Sequence, residues 1–271
     1  MQRFKNILLV LNPEVQETAA VDKAVSLTRQ NGGRLTLFSV LKKPPGIQGY
    51  SESVAQDQLA SAVAERREWL RGLMTSLPQH DIDVVINVVE GTPFLEIIRR
   101  VLLEQHDLVI TTAEEIKGIR ERVFGATSMH LMRKCPCPVW VVKRAQTRPY
   151  ARILAAVDPS VYDPKRDSLN PLILQLAATM ARKEAAELHV IHVWNLFGER
   201  YLRNSVMSEE DFQEAKAYEQ EQHKLHFYTL LNRVDVTDLK PHLHLVEGDP
   251  DEYIPELVSE LGIDLLIMGS V

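Results

Sequence analysis

A repeat constrains this chain more than any other feature. Val89-Glu90-Gly91-Thr92-Pro93 returns as Val246-Glu247-Gly248-Asp249-Pro250, and Asp107-Leu108-Val109-Ile110 returns as Asp264-Leu265-Leu266-Ile267. Both pairs are 157 positions apart (246 minus 89, 264 minus 107), so no gap separates the two blocks. Ile97 and Val101 recur as Ile254 and Val258, the core-facing positions of one helix. The pattern is that of a duplicated domain. Each copy encodes a strand ending at glycine, then Thr92 or Asp249 as a helix N-cap, then proline at the first helical position, where a missing N–H costs nothing. Glu252 follows Asp249 at capping-box spacing. Asp264 to Met268 is short and apolar, which fits a strand buried on both faces in a parallel sheet.

At about 150 residues per domain, 271 residues suggest two domains. The first half alternates: strand Lys5 to Leu11, helix Gln16 to Gln30, strand Arg34 to Leu41, helix Ser51 to Leu77, strand Ile82 to Val89, then the repeated helix and strand. A helix from about Gly125 to Arg133 and a strand Val139 to Val142 follow. Lys143 to Pro149 is the linker, and the series restarts at Ile153 to Val157, with helix 170–183, strand 187–194, helix 208–233, strand 242–246 and the repeated block. The domains are expected at 1–143 and 150–271. The second copy stops at Val271 without counterparts of the first half after Glu114, so the expectation is that the chain continues or was cut there, leaving a sheet edge open. Copies of one fold commonly keep the contact of an ancestral dimer, so an intramolecular pseudo-dimer is expected, with the Trp140 strand as its contact. A homodimer is left open.

The net charge of −6 offers no basic stripe for nucleic acid. Ile7 to Leu11 is too short for a signal-peptide core or a membrane span, so the chain reads as cytoplasmic, with no membrane partner. Cys135 and Cys137 flank Pro136. Both are read as reduced, small residues packing at the entry to a strand. His242 and His244 share a strand face and His189 and His192 lie on the neighbouring strand; two or three of them can converge on zinc, but the reading favours structural histidines and no metal. Trp69, Trp140 and Trp194 read as core or interface. Phosphate-loop, zinc-protease and nucleophile-elbow motifs are absent, and Ser128 with His130 lacks an orienting acid.

Ile153-Leu154-Ala155-Ala156-Val157-Asp158, Leu188 to Val193, Val246 to Pro250, Asp264 to Ser270 and, in the first half, Cys135-Pro136-Cys137-Pro138-Val139-Trp140-Val141-Val142 together resemble the universal stress protein family, in its tandem arrangement, similar to the bacterial E-type members. The resemblance implies two tandem Rossmann-like parallel-sheet α/β domains, adenine nucleotide α-hydrolase-like in fold, the second lacking its last helix and strand. Members that bind ATP use a loop Gly-x-x-Gly-x9-Gly-Ser/Thr after the fourth strand, whose glycines let backbone N–H groups close on phosphate. In the first half that pattern falls on Thr112, Glu115, Gly125 and Ala126, with Glu114 and Glu115 adding repulsion of about 1 kcal/mol each at ~4 Å from phosphate even in water. The family's acid after the first strand is here Asn12. No ATP is expected in this half. The second half keeps Asp158, implied to contact the nucleoside, Val193, whose backbone would meet adenine, and Met268-Gly269-Ser270 at the start of the loop. ATP or another small-molecule ligand is therefore expected in the second domain only.

Three functions follow from these residues. A non-enzymatic stress-response protein binding a small ligand is favoured. An interaction protein with no nucleotide is the second, and slow ATP hydrolysis that disappears in Asp158→Ala would mark the third.

Overall fold

The computed structural model describes residues 3–15, 17–42, 52–77, 82–113, 125–144, 146, 148–159, 164–196 and 208–270. The chain forms two compact units, Met1–Thr147 and Arg148–Val271. The first runs β1 (Asn6–Val10), α1 (Thr18–Asn31), β2 (Arg34–Leu41), α2 (Glu52–Ser76), β3 (Asp83–Glu90), α3 (Pro93–Glu104), β4 (Leu108–Thr112), α4 (Ala126–Lys134) and β5 (Val139–Val142). Its parallel sheet has the order β3-β2-β1-β4-β5. The second runs β6 (Arg152–Ala156), α5 (Pro164–Glu184), β7 (Glu187–Trp194), α6 (Glu209–Arg233), β8 (His242–Glu247), α7 (Pro250–Glu260) and β9 (Leu265–Met268). Its parallel sheet has the order β8-β7-β6-β9. This is the tandem α/β, Rossmann-like fold that the alternating pattern implies.

Alternation along the strands divides each core into two layers. In the first unit Ile7, Leu9, Leu35 and Leu37 pack with Ala20, Ala24 and Leu27 of α1, whereas Leu8, Phe38 and Val109 pack with Ile97, Val101 and Leu131 of α3 and α4. In the second, Leu154 and Ile191 meet Ile254, Leu257 and Val258 of α7. The repeated acid is an anchor in both units. Asp107 accepts from the Lys5 and Asn6 N–H groups at 2.7 and 3.0 Å, and Asp264 from those of Ala151 and Arg152 at 2.8 and 3.0 Å. Each pins the start of its unit's first strand. The repeated glycines also need their missing side chain. Gly91 and Gly248 have φ of 152° and 148°, and a Cβ would fall 2.7 Å from Glu96 Cγ and 2.1 Å from Tyr253 Cε2. Asp249 caps α7 through the Asp251 N–H rather than that of Glu252, and Thr92 makes no side-chain cap.

Residues match across the units at three offsets. β1 pairs with β6 at 146 (152 minus 6) and β2 with β7 at 153 (187 minus 34). The last residues of β3 and β8 match at 157 (247 minus 90). The helix expected over 170–183 begins earlier, at Pro164, and holds Pro171 inside it. The difference has a simple origin: α1 maps at 153 onto Pro171–Glu184, so Pro171 stands at the first position of the shared helix, where proline fits, and the helix has grown backwards from it. The cysteines follow the parity of extended backbone, on which residues two apart share a face. Cys135 still closes the last turn of α4, its N–H donating to Leu131, and the chain bends before β5 starts at Val139. The two sulfurs therefore face each other at 3.7 Å, both as free thiols. Trp194 is core, Trp140 half-buried, and Trp69 is 36% exposed rather than buried.

Candidate functional site

β6 lies between β7 and β9, and the chain steps out through β7 and β8 before crossing back to β9. Ligands of open α/β sheets bind outside the carboxyl ends of the strands at such a reversal. Ala156 is in register with both Ile191 and Met268. Two residues further, Asp158 comes level with Val193 and Ser270, with Gly269 one residue short. The five residues singled out from sequence thus share one end of three adjacent strands.

Asp158 is exposed, and its main chain is held from both sides by Asn170 of α5. The Asp158 N–H donates to Asn170 Oδ1 at 2.9 Å, and Asn170 Nδ2 donates to the Asp158 carbonyl at 2.6 Å. Asn170 is only 3% exposed, so its rotamer is fixed by packing. Met268 is exposed and Val193 half-buried. A Cβ on Gly269 would fall 2.6 Å from Leu169 Cδ2 of α5, so any side chain there has to push the tip of Leu169 aside.

Against this end of β7 stands a pair of histidines. His192 Nδ1 lies 3.2 Å from the Val157 carbonyl and its Nε2 lies 2.9 Å from Nδ1 of His223, on α6. Trp194 stacks on the His223 ring at 5.4 Å. Burial, then repulsion from His223, pushes His192 down to about 4; burial also lowers His223, opposed by Glu219 and by Asp158. Both rings are therefore neutral at pH 7. No sequence signal points to His223, because it lies on a helix 31 residues from His192 with no local motif joining them. His192 itself leaves the sheet on the α6 side, away from His189, His242 and His244.

The first unit builds the same places from other residues. The Asn12 N–H donates to Glu17 Oε2 at 3.1 Å, and burial raises the Glu17 carboxyl to about 8. Ser39 stands where His192 does and donates to the Leu11 carbonyl at 2.8 Å, while Arg66 Nη1 donates to it at 2.7 Å. Thr112, 4% exposed, stands where Gly269 does. Gly125 and Ala126 form the start of α4; Glu114 and Glu115 lie outside the described residues. Ser128 is buried, and His130 stacks on Phe94 at 4.3 Å. At the end of α4 the Cys137 thiol hydrogen-bonds to Cys135 and draws Cys135 down to about 7, while Cys137 is pushed up.

The sequence model of the universal stress protein family matches residues 3–143 and again residues 149–271. The chain belongs to the universal stress protein family. It is of the tandem type: universal stress protein E of Salmonella typhi is 25% identical over 280 residues, covering 100% of this chain and 86% of the relative. The universal stress protein E homolog of Haemophilus influenzae is 24% identical over 279 residues, 99% of this chain and 88% of the relative. A universal stress protein structure from Archaeoglobus fulgidus DSM 4304 superposes with a TM-score of 0.66 at 16% identity, covering 100% of this chain and 87% of that one. A functionally unknown protein from Pseudomonas aeruginosa PAO1 gives 0.62 at 23% identity, covering 100% and 83%. These two share the fold. Membership supports a stress-response role for this universal stress protein, and among its described residues no helix is long and apolar enough to cross a membrane.

Proposed function

We propose that this universal stress protein is a non-enzymatic binding protein whose second unit takes an adenine nucleotide, ATP as reference, at the carboxyl ends of β6, β7 and β9. The observation that carries the reading is the exposed Asp158, fixed through its own main chain by the buried Asn170 at the topological reversal of the sheet. Its carboxylate is the acceptor for a ribose hydroxyl, and Val193 and Met268 flank it with apolar surface for a base. The first unit offers Asn12 and Thr112 instead and is expected to bind none.

Titration calorimetry of ATP into the full chain is the test. One site is expected, weakened about tenfold or more by Asp158→Ala, since a hydrogen bond to a charged group contributes about 1.5–3 kcal/mol, and unchanged by Asn12→Ala. Equal affinities for wild type and Asp158→Ala, or two sites per chain, overturn the proposal. Gly269→Val is no test of phosphate contact, because it strikes Leu169 whether or not ligand binds. That same packing favours a second reading, an interaction protein with no nucleotide; protein that purifies without adenine absorbance and shows no thermal shift with ATP supports it.

A further inference from the structure

Glu187 and His189 are two residues apart on β7, His242 and His244 two apart on β8, and His189 is in register with His242. Side chains alternate along a strand, so all four leave the same face of the sheet. They sit at the amino ends of the strands, away from Asp158. One carboxylate oxygen of Glu187 and one ring nitrogen each of His189 and His242 lie within 4.8 Å of one another. The His189 and His242 rings stack at 4.7 Å.

His189 is the pivot. Its side chain is 7% exposed, its Nδ1 lies 3.1 Å from His244 Nε2, and its Nε2 has no hydrogen-bond partner among the described residues. The Nε2 faces Glu187 Oε2 at 3.9 Å, beyond hydrogen-bond range. With the Nδ1 proton donated to His244, the Nε2 lone pair confronts a carboxylate oxygen and nothing of positive charge lies between them. With the other tautomer, Nε2–H is a buried donor without an acceptor, which is also unfavourable. A cation on Nε2 resolves the conflict and leaves His244 orienting the ring, as an outer hydrogen bond does for a metal-bound imidazole.

The neighbourhood also selects the cation. Arg152 Nε donates to the same Glu187 oxygen at 3.2 Å and offsets its charge. Affinity must then come from imidazole nitrogen, which suits zinc and its neighbours in the transition series and disfavours the oxygen-seeking magnesium and calcium. We propose that Glu187, His189 and His242 form a site for a borderline divalent transition-metal cation, typified by Zn2+, with His244 as the positioning residue. Tetrahedral ligands at about 2.0–2.2 Å from zinc stand roughly 3.3 Å apart, so the exposed Glu187 and His242 need to swing inward by about 1 Å. Because β8 is the edge strand, the bound ion cross-links it to β7. The first unit has Arg34, Thr36 and Val85 at the equivalent positions and no such donor set.

The test is calorimetric titration of Zn2+ into the full chain without an affinity tag. It uses a Cys135→Ser/Cys137→Ser background, because the facing thiols are a competing zinc site. One ion per chain is expected at micromolar affinity or tighter, weakened at least about a hundredfold by His242→Ala and about tenfold by His244→Gln, with Mg2+ unable to displace it. His242 is exposed, so that variant keeps its fold, which circular dichroism checks. Absence of binding below millimolar Zn2+, or binding that survives His242→Ala unchanged, overturns the site.

Discussion

The two units bridge the same helix and strand with different chemistry. Arg66 of α2 reaches Ser39 of β2 in the first; 157 and 153 positions later, His223 of α6 reaches His192 of β7 in the second. The residue holding the backbone after the first strand differs as well, Glu17 against Asn170. The first pairing keeps its permanent guanidinium near the edge of water, whereas the second packs together two imidazoles that burial keeps neutral. One fold therefore carries two opposite responses to acid.

The largest expected effect tests that opposition. His192 has a folded value of about 4, below its usual 6.5, so the stability it contributes is present above pH 6.5 and lost as pH falls through 4, by roughly 3 kcal/mol at about 1.4 kcal/mol per pH unit. Glu17 has a folded value of about 8, above 4.5, so its contribution is full below pH 4.5 and lost as pH rises through 8. Urea unfolding from pH 4 to 8.5 should show acid weakening the second unit, followed by Trp194 fluorescence in a Trp69→Phe/Trp140→Phe background. His192→Gln should flatten that slope, and Glu17→Gln the opposite slope of the first unit, followed by Trp140 fluorescence in a Trp69→Phe/Trp194→Phe background. If His192→Gln leaves the slope unchanged, the contrast between the units fails.

A smaller effect sharpens the contrast at the backbone anchors. Asn170→Leu removes both bonds to the Asp158 main chain, costing about 2 kcal/mol, whereas Glu17→Gln at pH 7 keeps the acceptor for Asn12 and should cost less than about 0.5 kcal/mol. Chemical denaturation of the two variants side by side measures the difference, and equal losses would show that the anchors are interchangeable. Smaller than the loss at Asn170 is that of Ser39→Ala, about 1 kcal/mol by the same method, because Arg66 can recover water at the surface once its hydroxyl partner is gone. A loss above about 3 kcal/mol would mean that Arg66 is as deeply committed as His223.

The sheets were legible because their strands are short apolar runs, and because Gly91 and Gly248 followed by Pro93 and Pro250 punctuate strand and helix in a way few other structures need. The end of β6 was legible too, since strand order alone gathers Asp158, Val193 and Gly269. What escaped needed three dimensions. Proline reads as a helix start, and Pro171 is one in the ancestral sense, but nothing local says that a helix continues backwards through Asn170. The prolines around Cys135 and Cys137 suggest extended backbone, and Cys135 is extended, but only the fold shows the two sulfurs 3.7 Å apart. Strand parity separates His192 from His189, but only the packing of α6 shows that His223 awaits it.

The three offsets also record where the copies have drifted in length. From 146 to 153 the second copy gained seven positions between its first strand and Asn170, the counterpart of Glu17; from 153 to 157 it gained four more after its second. From the end of the third strand to the fourth the offset stays at 157. Both insertions fall on the connections that leave the carboxyl ends of the strands, while the opposite rim of the sheet has kept its residue count. Duplication has thus given this chain one rim held constant and one free to experiment, and exchanging the two long connections between copies is a graft that leaves every strand register untouched.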